Sequence, residues 1–238
     1  MMRRRMTRMP FRRRYSSRRY RRRVVSNQEN KFFDLAWTQA LNGTGVYVGD
    51  TKHFASINIV RAGVQSDRRI GRKFTIRSIN VRIVLTASPI PFASKFPTTY
   101  YRCIIYQDRQ CNGLGIGTEA TAATHLLQPT PTDDGSVAND VSVRSFYNLA
   151  NTQRFKILYD RIGSINRSVQ TGANYYSGSK VLTYSRTCNI PIEMTVPASG
   201  GTATLANITS NNIGILLFAD EDNAIESNIS TRIRYVDS

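Results

Sequence analysis

Imidazole is nearly missing from this chain, which has two histidines, His53 and His125, in 238 residues. Histidine-based acid–base chemistry and histidine-rich metal sites therefore have little to build on. Cysteine is scarce too. Cys103, Cys111 and Cys188 are an odd number, and none forms a CxxC pair or has a histidine at metal-ligand spacing, so they read as reduced thiols of an intracellular protein. No apolar run approaches the ~18 residues of a membrane helix; the longest, IGILLFA at 213–219, is strand length. No nucleophile elbow, P-loop or zincin signature is present. GLGIGT at 113–118 has the glycines of a phosphate loop, but it follows Cys111-Asn112 and opens no βαβ unit, so it reads as a flexible loop. The run Asp220-Glu221-Asp222 reads as a solvated turn rather than a cation site. Four N-x-S/T sequons begin at Asn42, Asn166, Asn207 and Asn228; without a signal-peptide pattern they read as coincidence. These absences leave no enzyme, no cofactor and no metal site to expect.

A second absence is local. The stretch RRRMTRMPFRRRYSSRRYRRR at 3–23 contains no lysine, aspartate or glutamate, and the first acid of the chain is Glu29. What it does contain is twelve arginines: Arg3, Arg4, Arg5, Arg8, Arg12, Arg13, Arg14, Arg18, Arg19, Arg21, Arg22 and Arg23. The net charge is +17, from 33 basic and 16 acidic residues. Without the twelve, 21 basic residues face the same 16 acidic ones, and the net charge falls to +5. The chain is thus a mildly basic body with a polycation attached. Self-repulsion opposes folding of such a segment until a polyanion neutralises it. Guanidinium donates two parallel hydrogen bonds to a phosphate and also stacks on bases, whereas lysine is a hydrated point charge. Phe11, Tyr15 and Tyr20, interleaved with the arginines, suit stacking on unpaired bases. A solvated charge run and an organelle presequence are the other readings, but the apolar residues Met6, Met9, Phe11, Tyr15 and Tyr20 form no helical stripe. Nuclear targeting is compatible with nucleic-acid binding.

The body has a period of two. In SINVRIVL, Ile79, Val81, Ile83 and Leu85 share one face while Asn80 and Arg82 share the other. In NISTRIRYVDS, Ile229, Ile233 and Tyr235 alternate with Ser230, Arg232 and Arg234. The pattern predicts eight strands, near 54–60, 73–87, 99–109, 154–163, 179–196, 202–208, 212–220 and 228–237, with no obligatory helix. The prolines of the body lie at or between segment ends, except Pro191, which predicts a bulge or an edge. The connection from 110 to 153 holds the turn-rich QPTPTDDG and then VRSFYNLAN, read as one or two helical turns. A loop that long in a compact domain is expected to be functional or packed on something. The organisation read from the chain is an arm at 1–25, a linker at 26–53 that gradually becomes ordered, and an all-β domain at 54–238.

The order of the basic arm, RIGRKF at 69–74, YYRCIIYQDR at 100–109, RFKILYD at 154–160 and a terminal TRIRYVDS at 231–238 resembles the coat proteins of geminiviruses and related small circular single-stranded DNA viruses. The resemblance implies an eight-stranded single jelly roll, a β-sandwich. It further implies an icosahedral shell of about sixty copies or a multiple, a single-stranded DNA genome held inside by the arm, and residence in the virion and the host nucleus through import receptors. No membrane partner is implied, and the Cys/His cluster often found near the N-terminal region of plant geminivirus coats is missing, so no zinc site is carried over. About sixty arms would bring roughly 720 guanidinium groups inside such a shell, one for each of several hundred phosphates. The candidate nucleic-acid-binding residues are the twelve arm arginines with Tyr15 and Tyr20, extended into the body by Arg69, Arg72 and Lys73, with Arg68 beside them; the alternative for these body residues is that they are solvated or pair with Asp67. A basic nucleic-acid-binding protein of ribosomal or chromatin type, and the coat of a small RNA virus, are the alternatives.

Overall fold

In the computed structural model, residues 30–41, 54–87, 98–111, 124–129, 141–167, 178–195, 205–220 and 225–237 are described. The arginine arm, His53 and the GLGIGT stretch lie outside them. Nine strands run through the described residues: β1 (Lys31–Leu41), β2 (Phe54–Ser56), β3 (Lys73–Ala87), β4 (Thr98–Asp108), β5 (Phe155–Asn166), β6 (Ser179–Met194), β7 (Ile208–Ser210), β8 (Asn212–Ala219) and β9 (Ile225–Asp237). All pairings are antiparallel: β4 with β5, β3 with β6, β2 with β8 and β1 with β9. The first half of the chain therefore pairs in reverse order with the second, like one long hairpin. Rolling that hairpin adds the pairs β3–β9 and β4–β8. Two sheets result, β1-β9-β3-β6-β7 and β2-β8-β4-β5. This is a jelly roll, with the short β7 added at one edge.

Periodicity decides which side chains fill the space between the sheets. Phe74, Ile76, Ile79, Val81, Ile83 and Leu85 of β3 and Ile225, Ile229, Ile233 and Tyr235 of β9 point inward, where they meet Tyr101, Cys103 and Ile105 of β4 and Ile213, Ile215 and Leu217 of β8. The edge-on contact of Phe74 with Tyr235, at 5.3 Å between ring centroids, ties β3 to β9 within that core. At Gly214 the ring of Tyr106 lies across the neighbouring strand, so a Cβ there would collide with the phenol.

The outer faces of the two sheets differ. That of β2-β8-β4-β5 is covered by the chain itself: Leu126, Leu127, Val141 and Val143 from the 110–153 connection pack on Ile104, Tyr106, Leu216 and Phe218. Arg102 fastens this cover. Its guanidinium forms a bidentate pair with Asp160 (3.0 and 2.7 Å) and donates to the carbonyls of Val143 and Ser145 (3.3 and 2.5 Å), and the Tyr147 hydroxyl donates to the same Asp160. The long connection is thus packed on something in its described parts. The outer face of β1-β9-β3-β6 carries no such cover among the described residues.

Three expectations need correction. Lys31–Leu41, read as part of a linker, is a full strand that pairs with β9 along its whole length. The segment 202–208, read as a strand, is a 3-10 turn over Leu205–Asn207 where described, and strand geometry begins only at Ile208. The strand read at 54–60 ends at Ser56. The VRSFYNLAN segment contains one 3-10 turn, Leu149–Asn151, capped by the Asn148 side chain accepting from the amide of Ala150. Pro191 lies where β6 is nearly an edge, since β7 pairs with β6 only through Glu193 and Met194.

Candidate nucleic-acid interface

Alternation that buries one face of β3 and β9 must present the other to solvent, and the register assembles that face in rows. Phe32, Arg234, Ser78 and Thr187 form one row across β1, β9, β3 and β6. Asp34, Arg232, Asn80 and Ser185 form the next, and Ala36, Ser230, Arg82 and Thr183 the third. The β3 bulge between Ile76 and Ser78 leaves Arg77 unpaired and exposed, and turns its side chain toward the same face. Two adjoining depressions of about 770 Å³ and about 740 Å³ run along these rows and share Asn80, Ser185, Arg232 and Arg234.

Four arginines line the trough: Arg77, Arg82, Arg232 and Arg234. Asp34 is the one acid lining it among the described residues. Arg232 holds Asp34 in a bidentate pair (2.8 and 2.6 Å), which keeps that carboxyl below the usual aspartate range. The same guanidinium lies 5.4 Å from the Phe32 ring centroid. Arg77 donates to the Asn189 amide oxygen. Arg82 and Arg234 form no ion pair among the described residues.

The first described residues lie at one end of this trough. Asn30, Lys31 and Phe32 line the second depression. Lys31 is buried and fixed by Asp237 at 2.8 Å and by the carbonyl of Arg68 at 3.1 Å, so the start of β1 is held in place.

The body residues nominated from the sequence separate here. Arg69 is fully buried, and its guanidinium donates to the carbonyls of Val60 (3.1 Å), Gly71 and Thr195 (3.1 Å). It ties the loop at 61–71 to the end of β6 and has no face toward a polyanion, which corrects its assignment to a basic surface. Arg72 and Lys73 are exposed, with Lys73 3.6 Å from Glu193. The arm arginines, Tyr15 and Tyr20 lie outside the described residues. Arg77, Arg82, Arg232 and Arg234 were not nominated, although Arg82, Arg232 and Arg234 were read as facing away from the core. Their outward alternation was the available signal; the register that groups them was not.

The remaining described candidates are partly or fully buried or bonded to the main chain. Cys103, Cys111 and Cys188 are free thiols, and burial pushes Cys103 up to about 12 and Cys111 up to about 11. His125 is half-buried, and burial lowers its basicity. Asp220 accepts from the amide of Tyr100 (2.9 Å), with its carboxyl raised by burial; Glu221 and Asp222 are outside the described residues.

No protein-family model matches the chain, and no curated protein matches it. Among solved structures it is similar to the capsid protein of BFDV in its 60-mer, at 9% identity and a TM-score of 0.29, over 87% of this chain and 91% of that one. It is also similar to the VP1 pentamer of human polyomavirus 6, at 11% identity and a TM-score of 0.26, over 89% of this chain and 97% of that one. Both overlays are loose, and the jelly-roll assignment rests on the strand order.

Proposed function

We propose that the chain is a viral capsid protein whose jelly-roll bodies associate into an icosahedral shell, with the arms of residues 1–25 neutralising a single-stranded DNA genome inside it. The observation that carries this reading is the joining of a closed jelly roll to twelve arginines through one pinned strand start at Lys31. A jelly roll supplies a rigid wall with loops for subunit contacts, and a polyarginine segment supplies phosphate neutralisation without reading bases. The shell domain begins at β1 on this reading, and the arm doubles as a nuclear import signal.

The test is the behaviour of the purified full-length protein. Megadalton particles on size exclusion, visible by electron microscopy and containing DNase-sensitive, RNase-resistant polymer, are expected. A monomer without particles at any salt concentration would point to the basic binding-protein alternative. RNase-sensitive contents would point to an RNA coat.

A further inference from the structure

We infer that the trough on the open face of β1-β9-β3-β6 binds single-stranded nucleic acid, with phosphates on Arg77, Arg82 and Arg234 and an unpaired base on the Phe32 ring. The inference rests on the proposed packaging role and extends it from the arm to a defined surface of the body.

Four observations carry it. The outer face of the other sheet is covered by apolar side chains of its own chain, whereas this face carries no cover among the described residues and is floored by Ser78, Asn80, Thr183 and Ser185. Its charge is one-sided, because Asp34 is already neutralised by Arg232. Rows two residues apart along a strand are separated by about 6.8 Å and neighbouring strands by about 4.8 Å, which puts Arg82 and Arg234 about 14 Å from each other. They can thus engage separate phosphates of one strand. Phe32 supplies the discriminating element: even with Arg232 over it, the residue is 47% exposed, near the start of β1. An exposed aromatic among arginines suits a base that is free to leave its stack, which a single strand offers and a duplex does not. An acidic peptide would use the same arginines and gain less from the ring.

The test uses the full-length chain and an oligothymidylate labelled at one end. Ultraviolet crosslinking of the bound probe followed by peptide mass spectrometry should place an adduct on Phe32. In parallel, Arg77→Ala/Arg82→Ala/Arg234→Ala should make the slope of log K against log salt about 2 shallower, since each lost phosphate contact removes roughly 0.7. Phe32→Ala should weaken oligothymidylate binding roughly tenfold while leaving the slope unchanged. Circular dichroism confirms that the variants remain folded. Adducts confined to Tyr15, Tyr20 and Phe11, with unchanged slopes in the triple variant, would overturn the trough and leave the arm reading intact. Absence of oligothymidylate binding by the full chain would overturn both. Equal competition by polyglutamate, abolished by the triple variant and insensitive to Phe32→Ala, would assign the trough to a protein partner instead.

Discussion

Asp108 and Arg154 are 46 positions apart, and each closes or opens a segment that sequence alone treats as a separate motif: a strand ending Asp-Arg and a strand opening Arg-Phe. In the fold they are one contact. Arg154 forms a bidentate pair with the buried Asp108 (2.9 and 2.8 Å), and Asp108 also accepts from the amide of Gln110. Asp108→Ala is expected to destabilise the domain by about 2–3 kcal/mol, below the usual range for a broken buried pair because Arg154 is partly exposed and can turn to water. The exposed pair Asp34–Arg232 provides the contrast, and Asp34→Ala is expected to shift stability by less than about 1 kcal/mol. Urea unfolding of both variants measures the difference. Arg69 follows the same logic with main-chain partners: Arg69→Met leaves three carbonyls without their donor and should cost about 3 kcal/mol, while Arg72→Ala should leave the midpoint unchanged. Residue type could not separate these two arginines, since both sit in one basic cluster. Only the fold determines that one of them faces inward.

At the scale of elements, the hydrophobic pattern carried more than strand positions. β3 and β9 alternate because one face carries no cover among the described residues, whereas β8, the IGILLFA run, is buried along its whole length because the inter-sheet core covers one face and the 110–153 cover lies on the other. The continuous run was therefore the mark of a doubly covered strand. β1 escaped because FDLAWTQA mixes polar and small residues with its apolar ones, and its strand state is set by pairing with β9. The eight strands expected and the eight of the jelly roll agree in number because the omission of β1 was offset by a strand placed at 202–208. Inward Ile233 and outward Arg234 give a direct check of register: Ile233→Asp should abolish folding by placing an unpaired charge in the core, and Arg234→Ala should leave the circular dichroism spectrum and melting temperature unchanged. The cover over the four-stranded sheet predicts a pH effect. Burial and the hydrogen bond to Asp160 push the Tyr147 phenol up to about 12 from an ordinary value of 10.0. The folded state holds that proton more tightly than the unfolded chain, so this contribution is complete below pH 10 and is lost as the pH climbs toward about 12. Cys103 and Cys111 act in the same direction from their ordinary value of 9.0. Melting temperature should fall across that window, and Tyr147→Phe should reduce the steepness of the fall while lowering stability at neutral pH.

For the whole molecule, the question is where the jelly-roll domain begins and the arginine-rich segment ends. The sequence reading places the globular boundary at 54; the pairing of β1 with β9 leads us to propose instead that the domain begins at Lys31. Phe33 is buried in the core, with Leu35 and Trp37 packed against it, and every residue of β1 has a partner on β9. Deleting residues 1–25 leaves that pairing intact, as well as the Lys31–Asp237 contact at the strand's start. Deleting residues 1–53 removes the strand, exposes the β9 edge and opens the core beside Ile229 and Ile233. An unpaired apolar edge of that length invites association with other chains. The two truncations are therefore expected to separate the roles of the N-terminal region. The shorter deletion should fold with an unchanged β signal, assemble into particles, and emerge from size exclusion with an ultraviolet absorbance ratio showing no nucleic acid. The longer deletion should aggregate or lose cooperative melting. Two exposed apolar residues supply the control for the proposed assembly: Phe146 and Leu149 are 84% and 77% exposed beside the covered sheet, an apolar pair of the kind subunit contacts use. Phe146→Ser/Leu149→Ser in the full-length chain should yield folded protein that still binds oligothymidylate and no longer reaches megadalton size. If the 1–53 deletion melts cooperatively and forms particles, β1 is dispensable and the boundary at 54 is the correct one.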